Sequence, residues 1–210
     1  MGLASIRDVT ARKESKEALR RSVEAIIQVI ANTVGVRDPY TSGHQQRVAK
    51  LAVAIATEMR LPEAKLDAIK FSGVIHDLGK VSVPSEILSK PGKLSTAELV
   101  LLKEHPAAGY AILKDVDFPW PIAQIVRQHH ERVNGSGYPD GLKEDEILVE
   151  AKVLAVADVV EAMVSHRPYR AALGIEKALA EIEQGKGQLY DSTAVDACVN
   201  LFRTGNFAFD

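Results

Sequence analysis

Apolar positions along this chain recur mainly at helical spacing, and runs that alternate with period two are scarce. From Glu14 to Val34 the stripe Leu19, Val23, Ile26, Ile30, Thr33 advances in alternating steps of four and three, with charges on the other face. That spacing suits either a short parallel coiled coil or a helix docked on its own domain. A second helix is predicted from Ser42, a candidate N-cap, to about Met59, with Val48, Leu51, Ala52 and Ile55 turned inward. A third opens at Pro62, a residue suited to a first helical turn, and runs to about Gly79, so that its last turn presents His76 and Asp77. Ser95-Thr96-Ala97-Glu98 spells a capping box for a fourth. Pro106 should break or restart that helix just after His105. A helix following Pro119 and Pro121 ends near Glu131, and Asn134-Gly135-Ser136-Gly137-Tyr138-Pro139-Asp140-Gly141 reads as a turn-rich loop. Val149 to Val164 reads as a buried helix carrying Asp158, and helices near Ile175–Gln184 and Ser192–Arg203 close the chain. Only Leu3 to Val9 and Val81-Ser82-Val83 read as extended. The predicted fold class is all-α.

Composition narrows the function classes. The 210 residues are 46% hydrophobic and 26% charged, with a formal net charge of −2. That is an ordinary globular balance, with no basic field to attract DNA or RNA. An anionic ligand would therefore need locally placed positive charge. Cys198 is the single cysteine, which excludes an intrachain disulfide and suits a reducing compartment. Residues Met1 to Asp8 lack a signal peptide's apolar run. The longest apolar stretch, Lys152 to Val164, is interrupted by Asp158 and Glu161 and is too short to span a bilayer. The expectation is a cytoplasmic segment without membrane insertion.

The histidines carry the chemistry. Five of the six, His44, His76, His105, His129 and His130, sit beside carboxylates, turns or helix ends. Neighbouring helical residues point about 100° apart, so an adjacent His76–Asp77 pair can address one cation together while the second carboxylate oxygen reaches another. A shared carboxylate of this kind holds two cations about 3.5–4 Å apart in dinuclear sites. Asp158 lies inside an apolar helix, where an unpaired carboxylate is costly and calls for a cation or several donors. Imidazole and carboxylate together suit divalent transition metals. The set points to a two-metal hydrolase.

The ordered motifs extend this reading. His76-Asp77-Leu78-Gly79-Lys80, followed by His129-His130-Glu131-Arg132-Val133-Asn134-Gly135-Ser136-Gly137-Tyr138-Pro139, resembles the HD-GYP branch of the HD-domain metal-dependent phosphohydrolases. Arg37-Asp38-Pro39-Tyr40-Thr41-Ser42-Gly43-His44 and Lys90-Pro91-Gly92-Lys93-Leu94 belong to the same match, which runs from about Ser22 to Arg203. The resemblance implies an HD-type helical bundle with extra C-terminal helices and a GYP loop. It also implies hydrolysis of the bacterial second messenger cyclic di-GMP to pGpG, which many members carry on to GMP, so that either end product stays open here. By motif, His44, His76, Asp77, His105, His129, His130 and Asp158 would be the metal ligands, with Asp77 the bridge. Asp77 and Lys80 would be catalytic, and Asp38, Lys80, Tyr138, Arg167 and Arg170 would touch substrate. The implied cofactor is a pair of divalent ions, iron first, with manganese or other transition metals as substitutes.

Tyr40 stands where members with a third metal carry glutamate, so two metals are expected. Asn134 and His166 occupy positions often held by Asp, and His166 reads as a loop residue. The alternatives are cyclic GMP-AMP or another nucleotide as substrate, or a non-catalytic module that binds a cyclic dinucleotide or docks a protein partner through the GYP loop. Retention of every ligand position weighs against the last.

A shorter resemblance lies at the start. Ile6-Arg7-Asp8-Val9-Thr10-Ala11-Arg12-Lys13 and the charged helix after it resemble the last strand and exit linker of a PAS sensor. The expected organisation is a sensor tail over residues 1–13, a signalling helix over 14–36 that favours a homodimer, and the phosphodiesterase domain over 22–210.

Overall fold

A computed structural model describes residues 2–37, 43–165 and 172–209. Among these the chain is helical: α1 (Gly2–Arg37), α2 (His44–Glu58), α3 (Glu63–Ile75), a 3-10 turn (Leu78–Ser82), α4 (Ser85–Leu88), α5 (Thr96–Lys103) and α6 (His105–Leu113). Then follow α7 (Ile122–Gln128), a short 3-10 turn (Glu144–Glu146), α8 (Val149–Val164), α9 (Ile175–Gln184) and α10 (Ser192–Arg203). Extended pairing among the described residues is confined to the bridges Asn134–Lys143 and Lys186–Tyr190. None of the described helices is long and apolar enough to cross a membrane.

Helix α8 is the axis of the molecule. Ala151, Val153, Leu154, Val156, Ala157 and Val160 are all buried, so the helix is apolar nearly all round and takes neighbours on several sides. It packs on α2, α9 and α10 to form the larger core, which includes Val48, Leu51, Ile55, Ile182 and Cys198. Burial pushes the Cys198 thiol up to about 12, which leaves it a packing residue. A smaller core joins Ile27, Phe71, Ile75, Leu113 and Val126 from α1, α3, α6 and α7, and Trp120 packs against both cores.

The helix ends follow local chemistry. Ser95 and Glu98 form the expected capping box, with the Glu98 amide donating to Ser95 Oγ at 3.3 Å and the Ser95 amide to Glu98 Oε2 at 2.7 Å. Pro106 occupies the first turn of α6, where its missing N–H costs nothing, so the chain restarts a helix at His105. The Ser42 cap lies outside the described residues, and Gly43 takes the N-cap position of α2 with φ 85°.

Four expectations change. Leu3 to Val9 is helical within α1; its apolar residues Leu3, Ile6 and Val9 are three apart, a spacing that keeps them near one face of a helix and would split them between the two faces of a strand. Val81 and Ser82 belong to the 3-10 turn, and only Val83 is extended. Helix α3 stops at Ile75, with His76 as its C-cap, and does not continue to Gly79. Gly79 explains the early stop. A Cβ there would lie 1.9 Å from the His105 carbonyl oxygen, so the chain passes so close to the start of α6 that a side chain has no room. The stripe on α1 is also rotated. Ile27 is 1% exposed and Ala31 is buried, Val23 and Ile30 flank them, and Ile26 is 58% exposed. The C-terminal half of α1 is thus docked on its own domain, against α3 and the 3-10 turn.

Leu154, fully buried in α8, is the test of this architecture. Leu154→Ala is expected to cost about 2–5 kcal/mol of unfolding free energy, measured by urea denaturation followed by circular dichroism.

Candidate metal centre

The donor side chains arrive mostly at helix ends. His44 opens α2, His76 caps the end of α3 with Asp77 directly after it, His105 opens α6, and His129 caps the end of α7 with His130 next. Asp158 alone comes from a helix interior, that of α8. At a helix end the chain can turn a side chain along the axis, so five elements point at one volume.

Their donors fall into two groups. His44, His76 and Asp77 offer atoms that lie within 4.8 Å of one another, as do His105, His129 and His130. Asp158 joins the first group, with Oδ1 3.3 Å from His44 Nε2 and 4.0 Å from His76 Nε2. In the second, His105 Nε2 and His129 Nε2 are 3.3 Å apart. Asp77 belongs to both. Its Oδ2 is 3.5 Å from His76 Nε2, while its Oδ1 is 3.5 Å from His105 Nε2. One carboxylate therefore turns one oxygen toward each group.

Burial sets the protonation states. It drives the imidazoles of His129 and His105 down, and that of His130 down to about 3, with neighbouring histidines adding to the effect at His129. These rings are neutral, as ligation requires. Burial works to raise the carboxyl groups of Asp77 and Asp158, but the groups that surround them outweigh it. Lys80, His76 and His105 hold Asp77 well below the usual carboxylate range, and His44 and His76 do the same for Asp158. Burial also pulls His44 down, yet Asp158 and Glu161 outweigh it and carry its imidazole up to about 9.

Imidazoles and ionised carboxylates, grouped within a few ångströms in a buried pocket, fit divalent cations, and a cation bound at His44 would displace the proton its ring otherwise holds. His44, His76, Asp77 and Asp158 would hold one, and Asp77, His105, His129 and His130 the other. All seven expected ligand positions converge.

Over the centre lies a cavity of about 350 Å³ lined in part by His44, Asp77, Lys80, His105, His130, Arg132, Tyr138 and Asp158. Lys80 Nζ donates to Asp77 Oδ2 at 2.7 Å. The Tyr138 ring stacks on His130 with centroids 4.8 Å apart, and Lys103 Nζ sits 5.2 Å from the Tyr138 centroid. The loop bearing Tyr138 is folded back on the end of α7. Glu131, buried, accepts the amides of Asp140, Gly141 and Leu142 at 2.7, 3.2 and 3.0 Å. Gly137 passes so near that a Cβ would come within 2.4 Å of Glu131 Cα and the Arg132 nitrogen. The Tyr138–Pro139 peptide is cis.

Asp38, Arg167 and Arg170 lie outside the described residues, as do Tyr40 and His166. Sequence reasoning misses Arg132, a cavity-lining cation, and two buried carboxylates, Glu131 and Glu161. The signal that could have found Glu161 is the one that singles out Asp158, a carboxylate in an otherwise apolar helix.

Comparison with known proteins agrees with this geometry. A model of the HD domain matches residues 28–194. The chain belongs to the HD-domain family. Its relatives include the cyclic di-GMP phosphodiesterase response regulator RpfG of Xanthomonas campestris pv. campestris, 38% identical over 197 residues, 93% of this HD-domain chain and 50% of that protein. A cyclic di-GMP phosphodiesterase of Thermotoga maritima is 40% identical over 178 residues, 84% of this chain and 48% of that one. The 3'3'-cGAMP-specific phosphodiesterase 3 of Vibrio cholerae is 36% identical over 162 residues, 77% and 35% of the respective chains. The HD-domain chain thus spans about half the length, or less, of these relatives. Among solved structures, the HDG"Y"P protein Bd1817 of Bdellovibrio bacteriovorus shares the fold, with a TM-score of 0.65 at 17% identity over 90% of this chain and 64% of that one.

Removing Asp77 should undo both groups at once. In Asp77→Ala, elemental analysis of metal-reconstituted protein is expected to show less than half the metal bound by the parent chain, with helix content by circular dichroism kept.

Proposed function

We propose that this chain is a phosphodiesterase domain that hydrolyses cyclic di-GMP to pGpG, using two divalent cations, iron first, with manganese or other transition metals as substitutes. The observation that carries it is the pair of donor groups sharing Asp77 at the floor of a cavity walled by Lys80, Arg132 and Tyr138. The mixed imidazole and carboxylate set supports iron or manganese over softer ions. The relatives named as cyclic di-GMP phosphodiesterases support the substrate.

Cations bound at the floor would supply Lewis acidity toward a phosphate and lower the pKa of a water. The chain's own groups do the rest. Lys80 is fixed by Asp77 at the cavity floor, where its ammonium can meet a non-bridging phosphate oxygen as negative charge grows there. Arg132 brings a second cation to the wall, and its guanidinium suits a phosphate bidentately. Tyr138, held by His130 beneath and by the Glu131-anchored loop, offers an aromatic face to a nucleobase. In the hydrolysis the water oxygen bonds to phosphorus, the bond from phosphorus to the 3′ oxygen breaks, and that oxygen takes up a proton. Asp38, Arg167 and Arg170 complete the proposed substrate contacts.

The cGAMP-specific relative favours a second reading, with the mixed cyclic dinucleotide on the same centre. An upstream sensor and a homodimer remain part of the proposal. The exposed Ile26 and Val29 on α1, beside an apolar groove reaching Ile112 and Val116, support a further helix or a second copy there.

The test is a side-by-side assay of metal-loaded protein with cyclic di-GMP, cyclic GMP-AMP and pGpG, with products identified by chromatography. Cyclic di-GMP is expected to turn over fastest, and Lys80→Ala to lower its kcat by about 10²–10³-fold. Tight binding of every dinucleotide with no product would defeat the proposal.

A further inference from the structure

Three of the ligand imidazoles are oriented by their own main chain. His76 Nδ1 bonds the Gly73 carbonyl at 2.7 Å, His105 Nδ1 the Leu102 carbonyl at 2.7 Å, and His129 Nδ1 the Val126 carbonyl at 2.6 Å. Each carbonyl lies three residues back, so each ring holds its proton on Nδ1 and turns Nε2 toward the donor cluster. This orientation comes with the backbone and depends on no second side chain.

His44 is built differently. It opens α2, and a side chain from another helix orients its ring. Its Nδ1 is bonded to Glu161 Oε2 from α8 instead. The Glu161 side chain is 1% exposed, and its other oxygen accepts from Arg47 Nε at 2.6 Å and from Ser165 Oγ at 2.6 Å. Glu161 follows Asp158 by three residues, so one turn of α8 carries a carboxylate for each nitrogen of the His44 ring.

We propose that Glu161 is the positioning residue of His44: it fixes the Nδ1–H tautomer, aims Nε2 at the cation shared with His76, Asp77 and Asp158, and sets the affinity of that site alone. Outer carboxylates that orient a ligand histidine typically govern metal affinity by about 10–100-fold. The His105, His129 and His130 group has no contact with Glu161 among those that orient its rings, so its cation is untouched. The proposal rests on the two-cation reading of the centre.

The experiment is titration of the metal-free chain with Mn²⁺, followed by calorimetry, for the parent, Glu161→Gln, Glu161→Ala, His44→Ala and the double variant His44→Ala with Glu161→Gln. In the parent, two sites are expected. In Glu161→Gln, which keeps the shape, one site is expected to weaken by about 10–100-fold and the other to stay within about twofold. In the His44→Ala background, Glu161→Gln should add nothing. Proton NMR of the parent should show a sharp, downfield Nδ1–H signal that is absent from His44→Ala and shifted in Glu161→Gln. Unchanged affinities in both Glu161 variants would overturn the proposal. Equal weakening of both sites, or a full further loss in the His44→Ala background, would make Glu161 a general staple and overturn it as well. A parent that takes up a single ion would instead bring down the two-cation reading itself.

Discussion

A carboxylate shut away from water and pulled from two sides governs this molecule. Asp77 is 2% exposed, and its two oxygens face different histidine groups while Lys80 donates to one of them. Left alone in such a place, an ionised carboxyl would be costly enough to take up a proton. It stays ionised because cationic and polar partners reach it from α3, α6 and the 3-10 turn. Every one of those partners must therefore stand at a fixed distance from a single side chain. The packing of the helices and the spacing of the donor groups are one constraint.

That constraint accounts for features of the fold that hydrophobic burial alone would not require. Helices α2, α3, α6 and α7 each begin or end beside a candidate ligand position. Gly79 lets the chain run against the start of α6, which brings Asp77 and His105 within reach. Gly137 does the same for the loop that lays Tyr138 on His130. Only α8 sends a ligand from its middle. It can do so because it is buried nearly all round, so Asp158 and Glu161 enter the interior simply by belonging to it.

Much of this is legible in the order of residues. Helices α8, α9 and α10 run where periodicity places them, since each is bounded by loops and carries a regular apolar face. The seven candidate ligand positions stand out through the ordered motifs that carry them, and Asp158 also as a carboxylate inside an apolar helix, where it must find a cation or a hydrogen-bond partner. What escapes depends on the third dimension. The segment from Leu3 to Val9 is only seven residues long, too short for its apolar spacing to outweigh the β-branched Ile6 and Val9 that favour a strand reading. The α1 stripe reads at Ile26, yet the domain surface it meets selects Ile27 and Ala31, a rotation of about 100° that no spacing within one helix reveals. Along the chain Glu161 is only a break in hydrophobicity, because its meaning comes from His44, 117 residues away. Glu131 reads as part of a motif, while its task is to gather three amides of a loop that follows it.

Cleavage and selectivity draw on different parts of such a centre. Proteins named for cyclic di-GMP and for 3'3'-cGAMP both align with this chain across most of its length. In the proposed reaction a cluster of cations and the ammonium of Lys80 would meet the phosphodiester, which is the same in either ring. Guanine and adenine differ only at the edges of the base, and an aromatic face such as that of Tyr138 stacks on either with similar strength. Discrimination by hydrogen bonding to a base edge can be large, because a polar group left unpaired in a dry pocket is costly. The groups that supply it must sit on the cavity wall, a base's length away from Asp77. The metal shell can therefore stay fixed while the wall changes, and a family can change its nucleotide without rebuilding the site that cuts it.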